Sequence, residues 1–287
     1  MSGASAPAPR FSRAALDCRL SVNRVNNDMQ QMTFMECVKR TWSSAWQAAT
    51  QMPLLVAGTF ALYAALGWFG LAGRPVPVEG VTPSAALVAT GNLASILNAL
   101  IYLWFTLKVS RFVLLGEQAT PLMPGAAKPL LRTFIVSVVM TASLVALGLA
   151  LWFVLRPQHQ GGSAFLTLVV IAIWMFVATR LSLLYPAVAI GGRIALGAAW
   201  RDTRGHFWSM FGVVVVTALP IPVCGTAIMI ALGRAGITPE IAQRPGWLTA
   251  LAVGQSVGTV LFALVSTTAL AWLYRRYANA LPAPEAR

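Results

Sequence analysis

Acid–base, metal and nucleophilic chemistry have few residues to draw on in this chain. Eight Asp+Glu, two His and three Cys occur in 287 residues, and charged residues of either sign make up only 10%. Soluble domains carry about 25% charged residues, so an ordinary water-facing surface is excluded. The cysteines, Cys18, Cys37 and Cys224, have no paired spacing, which argues against a disulfide framework or a Cys-rich zinc module. Blocks rich in Lys and Arg are also missing, so the net charge of +13 does not build a nucleic-acid stripe. The first ten residues, MSGASAPAPR, contain no apolar segment of the kind found in a signal peptide. The first span is therefore expected to direct its own insertion.

Apolar residues are abundant instead, at 57%. Because a helix rises about 1.5 Å per residue, roughly 20 apolar residues cross a hydrocarbon layer of about 30 Å. Spans are predicted at 53–72, 83–107, 130–155, 163–179, 208–232 and 247–274, the second opened by an N-cap at Thr82-Pro83. The expected fold is an all-α polytopic membrane bundle of about six transmembrane helices with interfacial amphipathic helices. Residues 1–32 form a tail with an amphipathic helix, 33–275 the six-span membrane domain and 276–287 a second tail.

The distribution of basic residues orients this arrangement. With the N-terminus cytoplasmic, only Arg74, Arg156, Arg234 and Arg244 fall on the far side, and the other seventeen of the 21 Lys+Arg fall on the cytoplasmic side. Such asymmetry follows the positive-inside tendency and favours an even number of spans, with both termini in the cytoplasm of a cell with an inner membrane. Trp68, Trp152 and Trp247 fall at the predicted outer ends and Trp104, Trp208 and Trp272 at the inner ends, where aromatic belts form.

Two segments on the basic side read as surface helices. Thr33-Phe-Met-Glu36 is a capping-box pattern, and the helix after it carries Met35, Val38, Trp42, Trp46 and Ala49 on one face. Between the fourth and fifth spans, Leu196, Trp200, Thr203 and Phe207 form a stripe opposite Arg201, Asp202, Gly205 and His206. Arg180 is placed at the interface, where its long stem lets the guanidinium reach water. Pro186 is expected to end or bend that helix. Further upstream, Phe11, Ala15, Cys18, Val22, Val25 and Met29 make an apolar stripe on a basic helix, suited to the membrane surface or to a partner protein.

All eight acidic residues lie outside the predicted spans, and His159 and His206 lie in loops on opposite sides. Ion-coupled transport and catalysis at bilayer depth usually need such groups. No catalytic site, metal site or cofactor is therefore expected. Neutral polar residues do enter the spans: Asn92, Ser95 and Asn98 in the second, and Gln255, Ser256 and Thr259 in the sixth, beside a Gly254-x-x-x-Gly258 pair that predicts a tight helix crossing. Pro220 and Pro222 should break the fifth span near mid-membrane, as in helices that line transporter sites or as in simple packing kinks. Asn92, Asn98, Pro220 and Pro222 are the candidate lining of a cavity.

Arg180, Pro186-Ala187, Ala198-Ala199-Trp200, Thr203-Arg204-Gly205 and Trp208 together resemble a pattern of YciC-like bacterial inner-membrane proteins, also found in the membrane region attached to some glycerophosphodiester phosphodiesterases. Ala199 stands where a serine is usual. The resemblance implies a membrane domain without established chemistry, and no phosphodiesterase activity. The expected function is that of a non-enzymatic structural or accessory protein whose basic face, with Arg180, Pro186, Trp200, Arg201, Arg204 and Trp208 as hinge or headgroup contacts, meets anionic phospholipid or a partner protein. The alternative is a permease or lipid-handling transporter with its cavity at the broken fifth span.

Overall fold

A computed structural model describes residues 33–72, 85–117, 127–155, 160–237, 241, 244–278 and 281. Among these residues the chain is all-α. The helices are α1 (Phe34–Gln51), α2 (Pro53–Ala72), α3 (Ala85–Leu115), α4 (Ala127–Leu155), α5 (Gln160–Leu181), α6 (Leu184–Ala189), α7 (Leu196–Asp202), α8 (Phe207–Ala218), α9 (Pro220–Arg234) and α10 (Pro245–Tyr277). The predicted N-cap at Thr82-Pro83 and the helix predicted at 11–29 lie outside the described residues.

Four stretches are long and apolar enough to cross a membrane: Pro53–Gly70, Gly91–Leu115, Lys128–Ala150 and Pro245–Tyr277. A fifth is the pair α8 and α9, which meet at an angle of 41°. The described part of α5, Phe165–Leu181, is apolar but shorter. The chain thus has the make-up of a multi-pass membrane protein with four or five such spans among the described residues, where the sequence predicts six. Many large apolar side chains face outward, among them Leu54, Phe69, Phe153 and Phe165, as lipid contact requires.

Local chemistry explains the boundaries. Thr33 caps α1 by accepting from the Glu36 N–H at 3.3 Å, while the Glu36 carboxylate accepts from Arg40 at 2.6 Å, one turn along the helix. Met52 leaves helical geometry directly before Pro53, which opens α2 at the position where its missing N–H costs nothing. Pro220 and Pro222 remove two donors from the ladder between α8 and α9, while Leu219 and Val223 keep theirs to Val215 and Leu219. That local loss is the physical reason for the 41° bend.

α10 is the central helix. It packs most extensively on α2, then on α1, α3 and α8. Its buried residues thicken from Val260 to Tyr277, whereas α9 buries none, so the bundle is tight at one end and open at the other. Two cores lie along it. One joins Cys37, Leu183, Leu184, Met210, Val213 and Leu273; the other joins Ala48, Met52, Phe105, Val109, Val260 and Leu264. The tight helix crossing predicted at Gly254 and Gly258 is not formed, since a Cβ at either would meet nothing within 4 Å. Close approach occurs instead at Gly67, where a Cβ would lie 3.7 Å from that of Ala252. Lipid gives no hydrophobic drive to helix pairing, so small residues matter wherever the axes actually cross.

Candidate functional site: a basic helix end and a neutral cavity

Two regions gather polar side chains. The first is the tight end, where α3, α5 and α10 finish and α1, α4 and α8 begin. Arg275 donates to the carbonyls of Val113 and Leu114 at 2.6 and 3.2 Å, closing the end of α3. Arg111 donates through two nitrogens to Glu117 at 2.8 Å each and through its third to the Ala189 carbonyl at 3.1 Å. Arg132 reaches the Gly192 carbonyl at 3.3 Å. Arg275 and Arg111 sit on the last carbonyls of α3 and α6, where unpaired oxygens and the negative end of the helix dipole favour positive charge, and Arg132 holds the loop that follows α6. The aromatic groups are drawn in too: Trp272 donates to Ser44 at 2.9 Å, with the guanidinium carbons of Arg40 and Arg275 5.4 and 5.1 Å from its ring centre.

The resemblance residues serve the same end. Arg180 does not reach out to water as expected: its guanidinium lies 5.2 and 5.3 Å from the ring centres of Phe176 and Trp200, and its Nε and Nη1 are buried without a hydrogen-bond partner. α5 ends at Leu181, and Pro186 is the third residue of the buried α6, so the break precedes the proline. That position is tolerated because a first-turn N–H would go unpaired within the helix anyway. Gly192 turns so closely under α6 that a Cβ would lie 2.7 Å from the Ala187 carbonyl oxygen. Thr203 is buried and donates to Ala199 at 2.9 Å and towards the Arg180 carbonyl at 3.3 Å, tying α7 to the end of α5. Gly205 follows with φ of +83°, a left-handed turn that glycine adopts without strain. Arg201, Arg204, Trp200 and Trp208 remain exposed.

α1 shows a similar division. Cys37, Thr41, Ser44, Ala45 and Ala48 face the bundle. The stripe with Met35, Trp42 and Trp46 faces outward, and Trp46 is 73% exposed. Burial pushes the Cys37 thiol above its ordinary pKa, with Arg276 and Arg40 opposing the shift. A high pKa and burial make it a structural thiol, unsuited to attack. No group of three or more His, Cys, Asp or Glu among the described residues could hold a metal ion.

The second region is a cavity of about 310 Å³ between α2, α3 and α10. Tyr63, Asn98, Tyr102, Gln255, Ser256 and Thr259 line it, so the structure brings together polar residues from two predicted spans. Asn92 is exposed elsewhere on α3, and Pro220 and Pro222 are exposed on and beside the bend. None of those three lines the cavity, and of the proposed set only Asn98 does. The two tyrosines are not among the residues the sequence singles out. Tyr63 carries a signal, lying mid-way along an apolar span rather than at an end. Tyr102 stands two residues from Trp104, which the sequence places in the belt, and only the longer observed stretch Gly91–Leu115 moves it inward.

No protein-family model, curated protein or solved structure matches this chain. Function therefore rests on the two regions themselves.

Proposed function

We propose that this chain is a six-span protein of a bacterial inner membrane with a structural or accessory role, both termini cytoplasmic, and its basic end seated among anionic phospholipid headgroups. α5 then counts as the fourth span and the bent pair α8 and α9 as the fifth. One observation carries the reading. At the tight end Arg111, Arg180 and Arg275 are committed to helix ends and rings and Arg132 to a loop carbonyl, while Trp42 and Trp46 on α1, and Trp200 and Trp208 with the neighbouring Arg201 and Arg204, are exposed. Inward cations without a catalytic partner brace the bundle; outward tryptophan and arginine suit the headgroup layer. The residues that resemble the YciC-like pattern take up these structural tasks. The helix predicted at 11–29 is the surface offered to a membrane or cytoplasmic partner.

Thermal unfolding in nanodiscs tests the lipid contact: phosphatidylglycerol should raise Tm over phosphatidylcholine by several degrees, and the charge-removing pair Arg201→Gln with Arg204→Gln should abolish the difference. Equal Tm in the two lipids would sink it. Deleting residues 1–31 should leave membrane insertion intact and remove crosslinked partners. A second reading, a permease or lipid-handling protein, is favoured by the polar cavity, which moves its site away from the fifth-span bend to the α2, α3 and α10 contact.

A further inference from the structure

We propose that the cavity between α2, α3 and α10 binds a small uncharged solute carrying hydrogen-bond donors and acceptors together, of the chemical class of a primary amide or a polyol. This goes beyond the accessory role, and it deepens the second reading without requiring that the solute be transported.

Depth gives the first step. Tyr63 is ten residues from the start of α2, about 15 Å at 1.5 Å per residue, which is half of a hydrocarbon layer of about 30 Å. At that depth bulk water is absent and an unpaired amide costs several kcal/mol. The side-chain amides of Asn98, which is half-buried, and of Gln255, which is exposed at the outer edge of the cavity, both lack a hydrogen-bond partner among the described residues. Their neighbours do not: Ser256 donates to Ala252 at 2.6 Å and Thr259 to Gln255 at 2.8 Å, each to its own helix. Tyr63 makes only a long contact, 3.5 Å, to the Asn98 carbonyl. Two amides, each donor and acceptor at once, thus border one cavity without a partner among the described residues, Asn98 further in and Gln255 at its outer edge.

Charge selects the class. The lining holds no Asp, Glu, Lys, Arg or His, so an ion there would leave water without a counter-charge. A neutral solute meets no such penalty and answers both amide functions. The volume suits it, since about 310 Å³ is at the small end of the roughly 300–1,000 Å³ of ligand sites.

The test uses the full chain in nanodiscs, with Ala99→Cys at the cavity wall in a Cys18→Ser, Cys37→Ala, Cys224→Ser background. Rates are measured for the neutral methyl methanethiosulfonate and for its sulfonatoethyl and trimethylammonioethyl analogues, each normalised to free cysteine, with acetamide and glycerol as competitors. The neutral reagent should react at least about tenfold faster than either charged one, and acetamide or glycerol should protect. Asn98→Leu with Gln255→Leu should weaken that protection by at least about tenfold, or 1.4 kcal/mol, with Tm unchanged or higher; Gln255→Leu alone, at an outer position, should give part of the loss. Charged reagents reacting equally fast, no protection by either solute, or protection that survives the double substitution would each overturn the proposal. Glycerol uptake into proteoliposomes scores transport separately: protection without uptake ends the permease reading and leaves this inference standing.

Discussion

The tight end and the cavity treat polar side chains in opposite ways. At the tight end Arg275 closes α3 and Arg111 bridges Glu117 to α6, while Arg180 rests on two rings that take the place of hydrogen-bond partners for its Nε and Nη1. In the cavity the amides of Asn98 and Gln255 have no such task among the described residues. A polar group with a protein partner is accounted for by architecture, whereas one without a partner at bilayer depth asks for an occupant. The number of charges in a region is therefore a poor guide to where a ligand binds.

The sharpest way to break this comparison is at Gly192, where the architecture leaves least room. Gly192→Ala places a methyl 2.7 Å from a backbone oxygen, so the loop under α6 must shift. A loss of at least about 2 kcal/mol is expected, read as a fall in Tm and in the yield of folded protein in detergent. Arg275→Met should cost about 2 kcal/mol by leaving two carbonyls at the end of α3 without a donor. If Tm were unchanged, the tight end would not be held by its cations. Cavity substitutions should go the other way: Asn98→Leu with Gln255→Leu should raise stability by about 1 kcal/mol, read as a higher Tm, because unpaired amides leave the apolar layer. A fall comparable to that of Arg275→Met would mean that the amides brace the fold as the arginines do.

Smaller effects sharpen the contrast. Folded Cys37 holds its proton to higher pH than the unfolded thiol does, so its contribution to stability is full below the ordinary thiol range and declines as pH rises above about 8.5. Cys37→Ala should flatten the fall of Tm with pH there, and native Cys37 should resist maleimide until the chain unfolds. Trp46→Ser, at a residue 73% exposed, should change stability in detergent by less than about 0.5 kcal/mol. It should nonetheless diminish the Tm gain in anionic nanodiscs.

Much of the helical frame was legible in the chain. The span predicted from Pro53 runs to Ala72 as read, Thr33 caps α1, and Pro220 with Pro222 bends the helix pair, because each depends on chemistry within a few residues. Legibility fell where partners are distant in sequence. Trp272 reads as a belt residue but donates to Ser44 far upstream, and Arg180 reads as a residue reaching for water but lies on Trp200. The glycines at 254 and 258 matched a packing motif, yet the close contact formed at Gly67, since a motif does not say which helix will cross it.

By itself, the sequence determined that the chain is helical and membrane-spanning in character. Length, hydropathy and local capping follow from neighbouring residues and need no further information. Only the tertiary structure decided which cations close which helix ends, and that Asn98 of α3 shares a cavity with Gln255 of α10 rather than with Pro220 and Pro222. Those pairings depend on how three helix axes cross, and a crossing is set by packing over the whole bundle rather than by residue spacing within any one helix.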